Sequence, residues 1–515
     1  MKQIISAIAF LLLCTTQNQA AIWYVNLSAT GTNSGTSWAN ACTDIGSALS
    51  NSNAGDEIWV AAGTYKPSAS NQTVYYDLKA DVAIYGGFNG TETVISQRNF
   101  TTNATTISGD IGTPGFPNDN TYHLFKATNL NVVATVDGFR IRDGVAYYLG
   151  LPHTFGYQGG AAVISNSQVK FANCNFNNST AQAGGAIYAT SSTLTIDKCT
   201  FRGNSASFTN GGAIYSQSSN LNITRTNFIS NSTTAGAGPA DGGGIYIGSG
   251  TTPSTINIDR CLFTNNSTTH MGSCIKAFAY NGVIDITNCI MVGNYSKYGS
   301  VVELIGTSSP SLPSTAHISS CTMTMNSADT SSLTYHPIQL SATSKKVENS
   351  ILWNNTSTTQ LDTGYIVKNC LVEGGYSTGT NILDLNPNFI NPPLFNNLPF
   401  IGNLPDYRLN LLSPAINVGD NAFALATLDI NDSVRIQNTT VDLGAIENAH
   451  CTFPLNLNVT PNDTLCAGQV ATITASGGHL FSWSTGSNTN SINVSISGNY
   501  SLIAVDTITQ CRGNN

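Results

Sequence analysis

Three features of the sequence predict an all-β chain wound as a right-handed parallel β-helix with three short strands per coil. They are a near-duplicated segment, its recurrence at a fixed period, and the alternation of apolar and polar residues inside each copy. Residues 184–206 read GGAIYATSSTLTIDKCTFRGNSA, and residues 211–233 read GGAIYSQSSNLNITRTNFISNST. In the first copy the alternating runs are Gly185–Tyr188, Thr193–Ile196 and Lys198–Phe201, which puts Ile187, Leu194, Ile196, Cys199 and Phe201 on one side. The second copy supplies Ile214, Leu221, Ile223, Thr226 and Phe228 at the same places. A single turn of three strands cannot bury its inner face, so the next turn must cover it.

The pattern runs well beyond two copies. Gly159-Gly160, Gly184-Gly185, Gly211-Gly212, Gly242-Gly243, Gly272-Ser273 and Gly299-Ser300 open successive units 25 to 31 residues apart. The third strand recurs as NCNF, KCTF, RTNF, RCLF, NCIM, SCTM and NSILW. Three residues past its last large apolar position stand Asn204, Asn231, Asn266, Asn294, Asn326 and Asn355. Their amides can hydrogen-bond from coil to coil as a structural ladder, and asparagine tolerates a left-handed turn. Cys174, Cys199, Cys261, Cys289, Cys321 and Cys370 share one slot with Thr226 and Ser350. Small buried packing residues fit that column, because a free cysteine behaves as a small hydrophobe. A metal or redox site would need a close cage of Cys or His, which the spacing does not supply. A disulfide between neighbouring coils, such as Cys289 with Cys321, is left open.

Along the chain, residues 1–20 have the layout of a signal peptide. Met1-Lys2 is followed by an apolar run from Ile4 to Cys14, with cleavage expected after Ala20. That run is too short to span a bilayer, and no later stretch is apolar enough to do so. Leu11-Leu12-Leu13 before Cys14 lacks the small residue of a lipid-attachment site, so soluble export is expected. Residues 21–54 form an N-terminal cap, where Ile45, Ala48 and Leu49 share a helical face that Thr43 or Asp44 can cap. The solenoid occupies 55–385, a loop-rich C-terminal cap 386–450, and residues 451–515 alternate like the strands of a separate β-sandwich around Trp483.

Composition narrows the function. Of 515 residues only 9% are charged, against roughly 25% in ordinary globular proteins. A net charge of −8 and a pI near 5.3 give no support to nucleic-acid binding. Apart from Cys14, eleven of the twelve cysteines belong to the exported chain, where disulfides are permitted.

Several stretches carry a resemblance. YVNLSATGTNSGTSWANACTDIGSAL, GDEIWVAAGTYKP and YGGFNGTETVISQRNF resemble exported right-handed β-helix proteins of the Bacteroidetes. NPNFINPP, DYRLNLLSPAINVGD and VDLGAIE are similar to their choice-of-anchor Q segment. The likeness covers about residues 21–447 and departs at Ile446, where an aromatic residue is usual. It implies a secreted or surface-associated protein and, for most such proteins, no assigned activity. TLCAGQVATITASGG and the strands after it resemble the immunoglobulin-like modules of adhesive proteins in the same bacteria. On that resemblance Cys466 and Cys511 are the disulfide and Cys451 is the odd thiol. It also implies type IX secretion through a C-terminal sorting domain; none is visible before Asn515, so either that domain is absent or the chain is a truncated form.

Four groups of side chains can carry chemistry. Tyr188, Tyr215 and Tyr246 face outward on the first strand of three successive coils and form a stripe for a glycan, or simply pack on one another. Lys276 and Glu303 continue that column as a base and an acid, or as an exposed ion pair of little worth. Lys198, Arg225 and Arg260 form an anion-binding column on the third strand, or a face neutralised by Asp197 and Asp259. Asp429, Asp432 and Asp442 offer at most a structural calcium site, with no other metal or cofactor expected. The sequence shows no pair of acids converging as a glycosidase requires. The expected function is therefore non-catalytic adhesion or glycan binding by a monomer, its partner a polysaccharide or a cell-surface glycan. A polysaccharide lyase or glycoside hydrolase is the rival, and a structural stalk the third reading.

Overall fold

Each coil turns at corners that the sequence marks with left-handed residues, and these corners set the whole architecture. A computed structural model describes residues 20–146, 157–234, 238–248, 250, 254–279, 282–306, 314–329, 336–357, 359–392, 406–437, 440–448, 453–461, 464, 469–508 and 511–514. The expected signal peptide therefore lies almost wholly outside the described residues.

In the unit that opens at Gly184 the strands are Ile187–Thr190, Thr193–Asp197 and Thr200–Arg202, followed by a two-residue fourth strand, Ser205–Ala206. The fourth strand is absent from the three-strand expectation because two residues carry no readable alternation. First strands stack into a nine-stranded sheet, second and third strands into one of 23, and fourth strands into one of seven. Pairing is parallel and in register, with Ile187 beside Ile214 and then Ile245, and Phe201 beside Phe228 and then Phe263. Identical side chains thereby meet identical side chains. Phe176, Phe201, Phe228 and Phe263 stack at 4.5, 5.1 and 4.7 Å inside the coils. Met291, Met323 and Leu352 continue the row. Full burial of each such side chain stabilises by about 1.5–3 kcal/mol.

Asn166, Ser191 and Ser218 take a left-handed backbone at the first corner. Asn173, Lys198, Arg225, Arg260, Asn288, Ser320, Asn349 and Asn369 do so at the second, and Asn178, Gly203, Ser230, Asn265, Gly293, Met325 and Asn354 at the third. At the fourth, Gly184 has φ +61°, and a Cβ there would sit 2.2 Å from the carbonyl oxygen of Ile187. The residue after each of the first three corners supplies a polar hydrogen. Ser167, Ser192 and Ser219 donate to the carbonyl two residues back at 2.8, 2.6 and 2.8 Å. The cysteines do the same through Sγ at 3.0–3.4 Å. Thr226 and Ser350 use Oγ at 2.8 Å each. The column is therefore a thiol and hydroxyl ladder rather than packing alone, which explains why only Thr and Ser replace Cys. All six ladder cysteines are free and buried, so the Cys289–Cys321 bridge does not form: each sulfur points at its own chain's carbonyl. Burial pushes the Cys199 and Cys289 thiols well up.

The asparagine ladder lies at the third corner. The Oδ1 of Asn231 accepts from both Asn204 N and Nδ2, at 3.1 and 3.0 Å, and the arrangement repeats through Asn266, Asn294, Asn326 and Asn355. Ser179 begins the ladder and Gln360 closes it. The ladder asparagines are not themselves left-handed; the residue before each one is.

At the N-terminus the helix is Ile45–Asn51, capped by Asp44, whose side chain accepts from Ser47 N at 2.8 Å. Ile45, Ala48 and Leu49 are its buried face, as read. Parallel pairing starts earlier than residue 55, because Ile22–Val25 pairs with residues 57–60. Residues 406–437 and 440–448 lie along the flank of the coils. Tyr407, Ala445 and Ile446 pack on Ile290, Val292 and Met325, while Leu409, Ile416 and Leu443 pack on Ile351 and Leu371. The outward third-strand column is accordingly polar at Asn175, Thr200 and Asn227 and becomes apolar at Leu262 and Ile290. After that come two antiparallel three-stranded sheets: Asn456–Thr460, Ala471–Ser476 and Ser491–Val494, then Leu480–Trp483, Leu502–Asp506 and Cys511–Asn514. Trp483 is buried with Ala475, Ile492 and Leu502. Cys511 is disulfide-bonded, and the expected partner Cys466 lies outside the described residues.

Candidate functional site

The first-strand sheet carries one outward column that changes character along its length. In register it runs Asp77, Lys126, Val163, Tyr188, Tyr215, Tyr246, Lys276, Glu303 and Gln339. Tyr188 and Tyr215 stack at 4.8 Å and 12°, and Tyr215 and Tyr246 at 5.1 Å and 24°. Since the rings face one another, a ligand meets their edges and hydroxyls rather than their faces. Burial, reinforced at Tyr215 by both neighbouring phenols, raises the pKa of Tyr188 and Tyr215. Beyond Tyr246 the stack breaks, with Phe278 tilted at 60° and 6.0 Å.

Lys276 and Glu303 are not an exposed pair: each is only 5% exposed. Lys276 Nζ lies 2.9 Å from Glu303 Oε2 and 3.3 Å from Asp241 Oδ2. Asp241 Oδ1 in turn lies 2.6 Å from His270 Nδ1 and accepts from Met271 N at 3.1 Å. A chain of four groups thus runs Glu303, Lys276, Asp241, His270. The two acidic members hold a cation between them and the imidazole stands at the solvent end, its side chain 28% exposed. Asp241 and His270 escaped the sequence reading because neither lies on a strand. The signal was available at Asp241, which occupies the slot just before the glycine pair, where Asn210 and Met271 stand in the neighbouring coils.

Lys198, Arg225 and Arg260 do form a column, but at the second corner rather than on the third strand. Arg225 holds Asp197 through two bonds of 2.8 and 2.6 Å. Burial opposes ionisation of Asp197, but the hydrogen bonds from Thr224 and Arg225 outweigh it and lower its pKa. Arg260 is shared between Asp259 at 2.8 Å and Asp432 at 2.6 Å. Two of the three cations are therefore already neutralised.

A second network crosses the second-strand sheet, where Asp285, His317 and Lys346 are register neighbours. His317 Nε2 is 2.9 Å from Glu348 and its Nδ1 is 3.6 Å from Asp285. Burial alone would lower the pKa of this imidazole, but the Asp285 and Glu348 carboxylates, which accept from its ring nitrogens and favour the charged form, raise it to about 9.

In the flanking segment Asp429 and Asp442 are buried, and their carboxylates accept backbone N–H groups of Asn431, Ser433, Glu447, Asn417 and Asn448. Asp432 turns away to Arg260. The three acids read as a calcium site are thus not brought together, and among the described residues no group of three or more His, Cys, Asp or Glu could hold a metal ion. Burial first, and then Asp442, raises Glu447 to about 8. Buried Arg435 donates to the Asp442 and Gly444 carbonyls.

Residues 119–312 match the family profile described as a right handed beta helix region. Parallel register, in-line stacking and this match define the chain's class as a right-handed parallel β-helix. The crystal structure of pectate lyase Pel9A is 15% identical, the alignment covering 83% of this chain and 96% of that one with a TM-score of 0.41. A rhamnogalacturonan lyase is 13% identical over 71% of this chain and 85% of that one, with a TM-score of 0.32. No curated protein matches the chain.

Proposed function

We propose that the protein is an exported, monomeric glycan-binding β-helix that takes an extended, neutral, hydroxyl-rich chain along the tyrosine column. The observation that carries this reading is the row Tyr188, Tyr215 and Tyr246, three half-buried phenols in register on consecutive coils. Such a row offers one hydroxyl about every 4.8 Å, a line of donors and acceptors for a polymer crossing the strands. The corner cations support a neutral ligand over an acidic one, because Arg225 and Arg260 are tied to Asp197, Asp259 and Asp432. A two-carboxylate glycosidase is disfavoured beside the column, where Asp241 and Glu303 are both held by Lys276. The terminal pair of sheets fits an immunoglobulin-like adhesive module of Bacteroidetes surface proteins, delivered through the leader at residues 1–20.

The test is affinity electrophoresis of the full chain against neutral and acidic polysaccharides. Tyr215→Ala should weaken binding at least tenfold and Tyr215→Phe, which keeps the ring, by a lesser factor. Unchanged binding by folded Tyr215→Ala would remove the column as a site. No binding to any glycan would leave the stalk reading.

A further inference from the structure

The chain of four groups at the end of the tyrosine column has an orientation that ion pairing alone does not require. Asp241 takes His270 by Nδ1 at 2.6 Å, which directs Nε2 away from the carboxylate. Lys276 compensates Asp241 from the other side, and Glu303 compensates Lys276. The ring edge of Tyr298, 43% exposed, meets the imidazole at 6.1 Å, with Lys297 over that phenol at 4.9 Å. An imidazole fixed at Nδ1 by a carboxylate, partly open to solvent, is the arrangement of a general base.

What such a base can do is limited by its neighbours. Glycoside hydrolysis needs two carboxyl groups free to act, and both acids here are committed to Lys276. Abstracting a carbon-bound proton next to a uronate needs a cation spare to neutralise the sugar's carboxylate, and of the two nearby cations Lys276 is flanked by two acids while Lys297 lies over the Tyr298 ring. Activating water against an acyl ester calls for neither a second free carboxyl group nor a cation that binds a carboxylate, and the group it does require, a base held in position, is the one this site supplies.

We propose that His270 is the catalytic general base of an ester-hydrolysing site, that Asp241 is its positioning residue, and that the substrate is an O-acylated glycan. This rests on the glycan-binding reading of the adjoining column. Water gives a proton to His270 Nε2 as its oxygen bonds to the acyl carbon. The tetrahedral intermediate then collapses with cleavage of the bond between acyl carbon and sugar oxygen, that oxygen becomes a hydroxyl by taking the proton from His270, and the acid leaves as its carboxylate with release of one proton to solvent. Nothing beyond water is consumed. Lys276 and Glu303 touch no substrate; they keep Asp241 in place.

Acetate release from an O-acetylated xylan and from its deacetylated control, together with binding to both, tests this on the full chain. The wild-type chain should release acetate, and His270→Asn, at a partly exposed site, should fold normally, bind the xylan and lose at least a hundredfold in kcat. Asp241→Asn should lower kcat with little change in KM and alter the pH profile of the rate, a change that a merely structural role would not produce. Binding without acetate release by wild type, or equal release by folded His270→Asn, overturns the esterase inference and leaves glycan binding standing. Release from 4-nitrophenyl acetate by wild type but not His270→Asn, with no xylan bound, supports the base and removes the glycan.

Discussion

Asn266 shows how much one residue can hold in this fold. Its Oδ1 accepts two bonds from Asn231, and its Nδ2 donates to Phe228 O and Asn294 Oδ1 at 2.8 and 3.0 Å, with no side-chain exposure. Asn266→Ala strands the two Asn231 donors and the Phe228 carbonyl on the preceding coil and takes a bond from the Asn294 amide oxygen on the next, and each such group costs about 1–3 kcal/mol. The expected loss is about 3–5 kcal/mol, read as a fall in the urea midpoint. Cys261→Thr keeps the polar hydrogen at its corner and should cost under about 1 kcal/mol, whereas Cys261→Val removes it and should cost more. If Thr and Val behave alike at 261, the ladder contributes nothing beyond packing. The asparagine column was legible in the sequence because one letter recurs in one slot. The serine ladder at Ser167, Ser192 and Ser219 was not, since serine is frequent everywhere in this chain and its role depends on the left-handed residue before it.

Strands and segments were legible to different depths for a related reason. Alternation reveals which side of a strand faces in, so Ile187, Leu194, Ile196 and Phe201 were placed inside from letters alone, and all four are fully buried. It does not reveal what lies against the outer side. Leu262, Ile290 and Val292 look like extra apolar residues on a solvent face, yet Tyr407, Ile430, Ala445 and Ile446 of the flanking segment cover them. Contact between residues more than a hundred positions apart has no local signature. His270 belongs to the same class of omission, a link residue made chemical only by Asp241 from the coil before. Ile290→Asp would set a charge against Tyr407 and Ile446, costing about 2–4 kcal/mol locally. Limited proteolysis should then cut within 406–448 while the coils around the Phe201 stack stay resistant. Cleavage spread evenly over the chain would show that the flanking segment and the coils unfold as one unit.

On the scale of the molecule, a chain with only 9% charged residues should depend weakly on pH unless a few groups are strongly perturbed. Those groups pull in opposite directions. Asp56, Asp197 and Asp406 have lowered pKa values, despite the burial that opposes it at Asp56 and Asp197, because hydrogen bonds hold their ionised forms. Their stabilisation is present above the unfolded carboxylate range and is lost as pH falls through the folded values. His317 is raised from 6.5 to about 9, so its contribution is complete below 6.5 and is lost as pH climbs through 9. Glu447 is raised from 4.5 to about 8; the native state keeps a proton that the unfolded chain has given up, and stability falls across that interval. Acid lowers stability through the aspartates and alkali through His317 and Glu447, so the maximum should lie near pH 5. The His317 share is on the order of 2 kcal/mol once solvent screening is allowed for. Urea midpoints measured from pH 3 to 10 should rise, peak and then decline. His317→Gln should flatten the decline between 6.5 and 9, and Glu447→Gln the decline between 4.5 and 8. A wild-type curve still rising at pH 8 would mean that these two buried groups do not govern the molecule's response.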